Sequence, residues 1–120
     1  METVFVMNAM KRLLWWLLAG SVGGVNRGRI LEVIFQTPHN ANELSKLMVL
    51  DYKTIRHHLE VLEKNRLITS TGSGYGKMYF PSELLEENKP VFDEIWGQIG
   101  KKQIKDELPN TTLLVACSPE

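Results

Sequence analysis

Five cations, Lys53, Arg56, Lys64, Arg66 and Lys77, fall between Tyr52 and Tyr79 of this 120-residue chain, against two anions, Glu60 and Glu63. That local surplus suits one chemistry, the electrostatic capture of phosphate groups. Such capture depends on the local field rather than on the net charge of the chain, which is zero. From Phe80 to Leu108 the balance reverses, with seven anions against four cations. No other constellation organises a reaction. Glu86/Glu87 and Asp93/Glu94 are sequence neighbours, so on a helix they diverge instead of converging as an acid/base pair. No nucleophile has a base beside it. His39, His57 and His58 do not make a metal site, because adjacent histidines on a helix face different ways and no carboxylate is placed to complete the set. Gly72-Ser-Gly-Tyr-Gly has the glycines of a phosphate loop but lacks its Gly-Lys-Ser/Thr ending, and it joins two strands, so it reads as a turn. Cys117 is the single cysteine, which excludes an internal disulfide and a Cys-rich zinc cage. No catalysis, cofactor or metal is expected.

The elements that must position the basic segment are legible from periodicity. Met7 to Ala19 reads as a helix that is apolar all round from Leu13 to Leu18, and Gly20-Ser-Val-Gly-Gly ends it. Asn26 is the expected cap of a second helix with Ile30, Leu31, Ile34 and Phe35 on its buried stripe, stopped at Thr37-Pro38. Asn40 with Glu43 forms a capping box for a short third helix, whose apolar face is Leu44, Leu47 and Met48. After the turn at Val49-Leu50, Asp51 caps a fourth helix with Ile55, Leu59 and Leu62 inward. Asn65 is its expected C-terminal cap. The pattern then changes to β: Arg66 to Thr71 and Lys77 to Phe80 are strands around the Gly72 to Gly76 turn. Pro81-Ser82 opens a last helix carrying Leu84, Leu85, Val91, Phe92, Ile95, Trp96 and Ile99, bent or split at Pro90. Past Lys105 the pattern fades into an expected irregular or mobile tail.

Two short helices joined by a tight turn, followed by a hairpin, make a winged helix-turn-helix: a mainly α fold with a small β-hairpin and extra helices at both ends. The run Asp51-Tyr-Lys-Thr-Ile-Arg-His-His-Leu-Glu-Val-Leu-Glu-Lys-Asn-Arg-Leu-Ile, with its Thr-Ile-x-x-His-Leu-x-x-Leu-x-x-x-x-Leu-Ile pattern from Thr54 to Ile68, resembles the recognition helix and first wing strand of ArsR-like regulators of the archaeal type. The resemblance runs from about Asn26 to Phe80 and more weakly into the flanking helices. It implies a transcription regulator that binds double-stranded DNA in a sequence-specific manner as a symmetric homodimer, joined through the first and last helices. Carried onto this sequence, the groove positions are Tyr52, Lys53, Thr54, Arg56 and His57. Arg56 suits a guanine edge and Lys53 a phosphate; Tyr75 and Lys77 would reach the minor groove or backbone from the wing, and Arg27 and Arg29 a phosphate from the second helix. His58 is expected half-buried against the core. The paired cysteines of metal-sensing members are missing, since those positions hold Asn40 and Asn42, so the resemblance gives no soft-metal sensor and leaves any small-molecule effector unknown.

A chain this short buries only about two-thirds of its unfolded surface. Apolar helices at both ends exceed what one such core can cover, which points to a dimer interface built from Leu14, Trp15, Leu18, Phe92, Ile95, Trp96 and Ile99. The expected organisation is 1–24 as an N-terminal dimerisation helix and loop, 25–81 as the DNA-binding domain, 82–105 as a C-terminal dimerisation helix and 106–120 as a tail. Lys11 and Arg12 divide the apolar stretches at the N-terminus, and neither part approaches the ~20 residues of a membrane span. No secretory signal is evident, so a cytoplasmic protein without membrane association is expected. The alternative function is a winged-helix docking module in a larger assembly.

Overall fold

The computed structural model describes residues 2–107, and within them all side chains except those of residues 2–8, 75 and 100–107. The elements run α1 (Glu2–Leu18), α2 (Gly24–Gln36), β1 (His39–Asn40), α3 (Ala41–Met48), α4 (Tyr52–Lys64), β2 (Ile68–Thr71), a 3₁₀ turn (Gly74–Gly76), β3 (Met78–Pro81), α5 (Glu83–Glu87) and α6 (Lys89–Glu107). The expected tail lies almost wholly outside the described residues.

Capping residues set most boundaries. Asn40 accepts from the Glu43 amide at 2.8 Å while the Glu43 carboxylate accepts from the Asn40 amide at 3.1 Å, the reciprocal box expected for α3. Asp51 accepts from the Lys53 amide at 2.9 Å and opens α4, and Asn65 closes it. The last helix is split as Pro90 implied. α5 ends at the buried Asn88, which donates to the Leu84 carbonyl at 2.9 Å, and α6 begins one residue before the proline, whose missing N–H costs nothing in a first turn. The start of α2 departs from expectation. Gly23, not Asn26, precedes the helix, in the left-handed region at φ 83°, and a side chain there would run into the His58 ring. Gly24 is equally constrained, since a Cβ would lie 2.2 Å from the Leu18 carbonyl oxygen.

The sheet has three strands, in the order β1-β3-β2, all antiparallel. Ser70 faces Tyr79 within the hairpin, and Tyr79 faces His39 on the other side. β1 is an addition to the expected hairpin: two residues between Pro38 and α3 are too few to show an alternation, and the free edge of β3 recruits them.

One core joins the layers. Ile30, Leu31 and Ile34 of α2, Leu44 of α3, and Ile55, Leu59 and Leu62 of α4 are buried with Leu67 and Tyr79 of the hairpin region. Leu14, Leu17 and Leu18 of α1 pack along α6, whose Phe92, Ile95 and Ile99 are buried with them. The Phe92 ring meets Phe35 of α2 at 5.3 Å and stacks with Trp96 at 6.2 Å. Trp96 in turn lies on Gly28, where a Cβ would come within 2.2 Å of the indole. Leu47 departs from the expected packing: in an eight-residue helix facing inward through Ala41 and Leu44, its side chain turns to solvent and is 59% exposed.

Candidate nucleic-acid interface

α3 and α4 are set against each other by the turn between them. Val49 takes φ 54°, the Leu50 amide donates to the Ser45 carbonyl at 3.1 Å, and the Ser45 hydroxyl donates to the Leu50 carbonyl at 2.6 Å. α4 turns Ile55, His58, Leu59 and Leu62 inward. Lys53 and His57, one turn apart, are left exposed on the outer face, with Arg56 and Glu60 beside them.

The expected groove residues do not all play one part. Thr54 donates its hydroxyl proton to Asp51 at 2.5 Å, so it belongs to the helix cap. That bond, with the Lys53 amide, holds the Asp51 carboxyl below its ordinary range. The Arg56 guanidinium lies 5.9 Å from the centre of the Tyr52 ring and pairs with Glu60 at 3.7 Å. The Tyr52 hydroxyl beside it, more than Glu60, raises its pKa further and keeps it charged. From the wing, Lys77 reaches Glu63 at 4.0 Å and lies 5.7 Å from the Tyr79 ring, whose burial raises the phenol pKa. Glu63 also accepts from Ser70 at 2.9 Å, tying α4 to β2. Tyr52, Arg56, Lys77 and Tyr79, with Ala41 and Gly74, enclose a hollow of about 130 Å³ between α4 and the wing. The structural role of Glu63 was not anticipated. The Glu63–Lys77 separation gives no hint of it until the hairpin register is known. The side chain of Tyr75 lies outside the described residues.

Arg29 is exposed on α2. Arg27 is not. It is 5% exposed, and its guanidinium donates to the Leu17 carbonyl at 3.1 and 2.9 Å and to the Ser21 hydroxyl. The cation therefore closes the end of α1 and is not available to DNA, and burial lowers its pKa. The signal was present: Arg27 precedes Ile30, Leu31 and Ile34 by three, four and seven residues, on the buried stripe of α2. Against it lies His58, more buried than expected, with Nδ1 lacking a hydrogen-bond partner. Burial first, then the charges of Arg27 and His57, lowers its pKa.

The residues assigned to a dimer interface separate into two groups. Leu14, Leu18, Phe92, Ile95 and Ile99 are buried within the protomer, because α1 and α6 cover each other. Trp96 is half-buried on Gly28. Trp15 and its neighbour Trp16 remain outward, 45% and 57% exposed. No group of three metal-binding side chains occurs among the described residues, and no helix among them is long and apolar enough to cross a membrane.

Residues 25–70, from α2 through most of β2, match the family of bacterial regulatory proteins called ArsR. The helix-turn-helix segment is thus similar in sequence to that of the ArsR family. The fold as a whole is similar to that of several solved proteins. A probable transcriptional regulator from Pseudomonas aeruginosa superposes with a TM-score of 0.59 at 17% identity, covering 95% of this chain and 92% of the other. The multiple antibiotic resistance repressor MarR gives 0.57 at 15% identity over 98% and 94% of the two chains. The regulator Tm0710 of Thermotoga maritima gives 0.54 at 18% identity over 97% and 84%. No curated protein matches the sequence significantly. The family match covers the helix-turn-helix, and the likeness in fold extends to α1 and α6.

Proposed function

We propose that the chain is a non-catalytic, cytoplasmic transcription regulator that binds a pseudo-palindromic DNA site as a homodimer, with α4 in the major groove and the wing on the adjacent minor groove or backbone. The observation that carries this reading is the exposed face of α4 that presents the cations Lys53 and Arg56 with His57, beside a wing bearing Lys77, on a segment similar to the ArsR family. A winged helix-turn-helix offers the N-terminal end of its second helix to a groove about 12 Å wide. The exposed Trp15 and Trp16 support pairing of two copies through α1, since adjacent bare indoles are unusual on a monomer surface. In this reading 25–81 is the DNA-binding unit, and α1 and α6 frame the dimer.

The test is a fluorescence-anisotropy titration with a duplex selected by the protein from a random-sequence library, against a scrambled duplex, at two salt concentrations. Tight binding that prefers the selected sequence and weakens steeply with salt is expected. Lys53→Ala combined with Arg56→Ala should abolish that preference; unchanged affinity would refute the regulator reading. The docking-module alternative draws on Leu47 and Val49, exposed together at the helix-turn-helix tip. It takes precedence if no duplex binds at either salt.

A further inference from the structure

The hollow between α4 and the wing brings together two cations from separate elements, Arg56 on α4 and Lys77 just before β3, with Tyr52 and Tyr79 also lining it. No carboxylate among the described residues lines it. Glu60 pairs with Arg56 at 3.7 Å across an exposed contact, the kind a stronger anion displaces, and half-buried Glu63 reaches Lys77 only at 4.0 Å, the limit of an ion pair. At about 130 Å³ it is smaller than the roughly 300 Å³ at which pockets for larger organic ligands begin. On the wing side the wall is open. A side chain built at Gly74 would meet nothing within 4 Å among the described residues, so the backbone there is not covered by them.

We propose that this hollow seats a single backbone phosphate of the bound DNA, held between Arg56 and Lys77. The proposal rests on the DNA-binding reading and refines it. Arg56 becomes a positioning contact instead of a reader of guanine, and the outward pair Lys53 and His57 is left to face base edges. Two elements gripping one phosphate also fix the angle of the wing against the recognition helix, because neither cation can follow the strand without the other.

The test uses the full chain and the library-selected duplex, with single methylphosphonate linkages placed in turn along each strand. One position per half-site should weaken the wild type when neutralised and leave Arg56→Met unaffected. Arg56→Met should weaken selected and scrambled duplexes by the same factor, and should reduce the slope of log affinity against log salt by about one per subunit. Arg56→Lys, which keeps the charge but loses the planar fork, should retain most of the affinity. A loss confined to one G·C pair, equally severe in Arg56→Lys, would assign Arg56 to a base and overturn the proposal. Insensitivity at every neutralised position, with inorganic phosphate competing more strongly than chloride at equal ionic strength, would place a free anion there and overturn it too. A wild type that binds no duplex fails the regulator reading itself, a result distinct from either. Thermal unfolding of each variant checks that this exposed side chain is not needed for folding.

Discussion

At the residue scale, two positions hold the backbone or a proton where ordinary chemistry opposes it. Val49 is β-branched yet sits at φ 54°, a region that costs roughly 1–2 kcal/mol for a residue with a Cβ. Its side chain is 86% exposed and gives little packing in return. Val49→Gly should raise stability by up to about 1 kcal/mol after the extra entropy of glycine is deducted. Urea denaturation measures it, and a lower midpoint would contradict the strain argument. His58 has a pKa below its ordinary 6.5, through burial and then the charges of Arg27 and His57. As pH falls through 6.5 the unfolded chain takes up a proton that the folded imidazole still refuses. Stability therefore declines from there down to the lowered folded value, then levels off. His58→Leu should flatten the fall in melting temperature between about pH 7 and pH 5. An identical fall in the variant would assign the effect to other groups.

At the scale of elements, the junctions around α2 are held by a glycine and an arginine. Gly28→Ala puts a methyl group inside the Trp96 ring, and displacing the indole should cost about 1–3 kcal/mol. Trp96→Leu in the same chain should recover part of that loss in chemical denaturation. Arg27→Met strips the buried Leu17 carbonyl of both guanidinium donors, leaving it the Ser21 hydroxyl at 3.2 Å, and should cost about 1–3 kcal/mol. The salt slope of DNA binding should stay unchanged; a shallower slope would restore Arg27 as a phosphate contact. Much of this architecture was readable beforehand because the relevant signals are local. Asn40 with Glu43, Asp51, Asn65 and Pro90 act within one helical turn, and the 3.6-residue stripes of α2 and α4 are long enough to be unambiguous. β1 was not readable, because its pairing depends wholly on β3, some forty residues away. The site was legible in its residue types but not in its grouping. Thr54 serves the cap, and Arg56 leans on Tyr52 toward the wing, contacts that appear only once α4 and the hairpin share a frame.

At the scale of the whole molecule, the expectation that apolar end helices imply a dimer needs a narrower basis. α1 and α6 bury Leu14, Leu18, Phe92, Ile95 and Ile99 against each other, so one copy satisfies most of that surface alone. Among the described side chains of α1, the large apolar ones that remain exposed for a second copy are Trp15 and Trp16. Trp15→Ser with Trp16→Ser should shift the protein from dimer to monomer in sedimentation equilibrium while leaving helix content intact. A wild type that sediments as one chain at micromolar concentration would remove the dimer from the model of function. The Leu17 carbonyl at the end of α1 is gripped by Arg27, and Arg27 and His58 of α4 both close on Gly23. In a pair joined through α1, that chain of contacts acts as a linkage with no slack. Under the proposed function, any rotation of the two α1 helices past each other would change the distance between the two reading heads, so the joint between subunits would double as the gauge that selects the spacing of the half-sites.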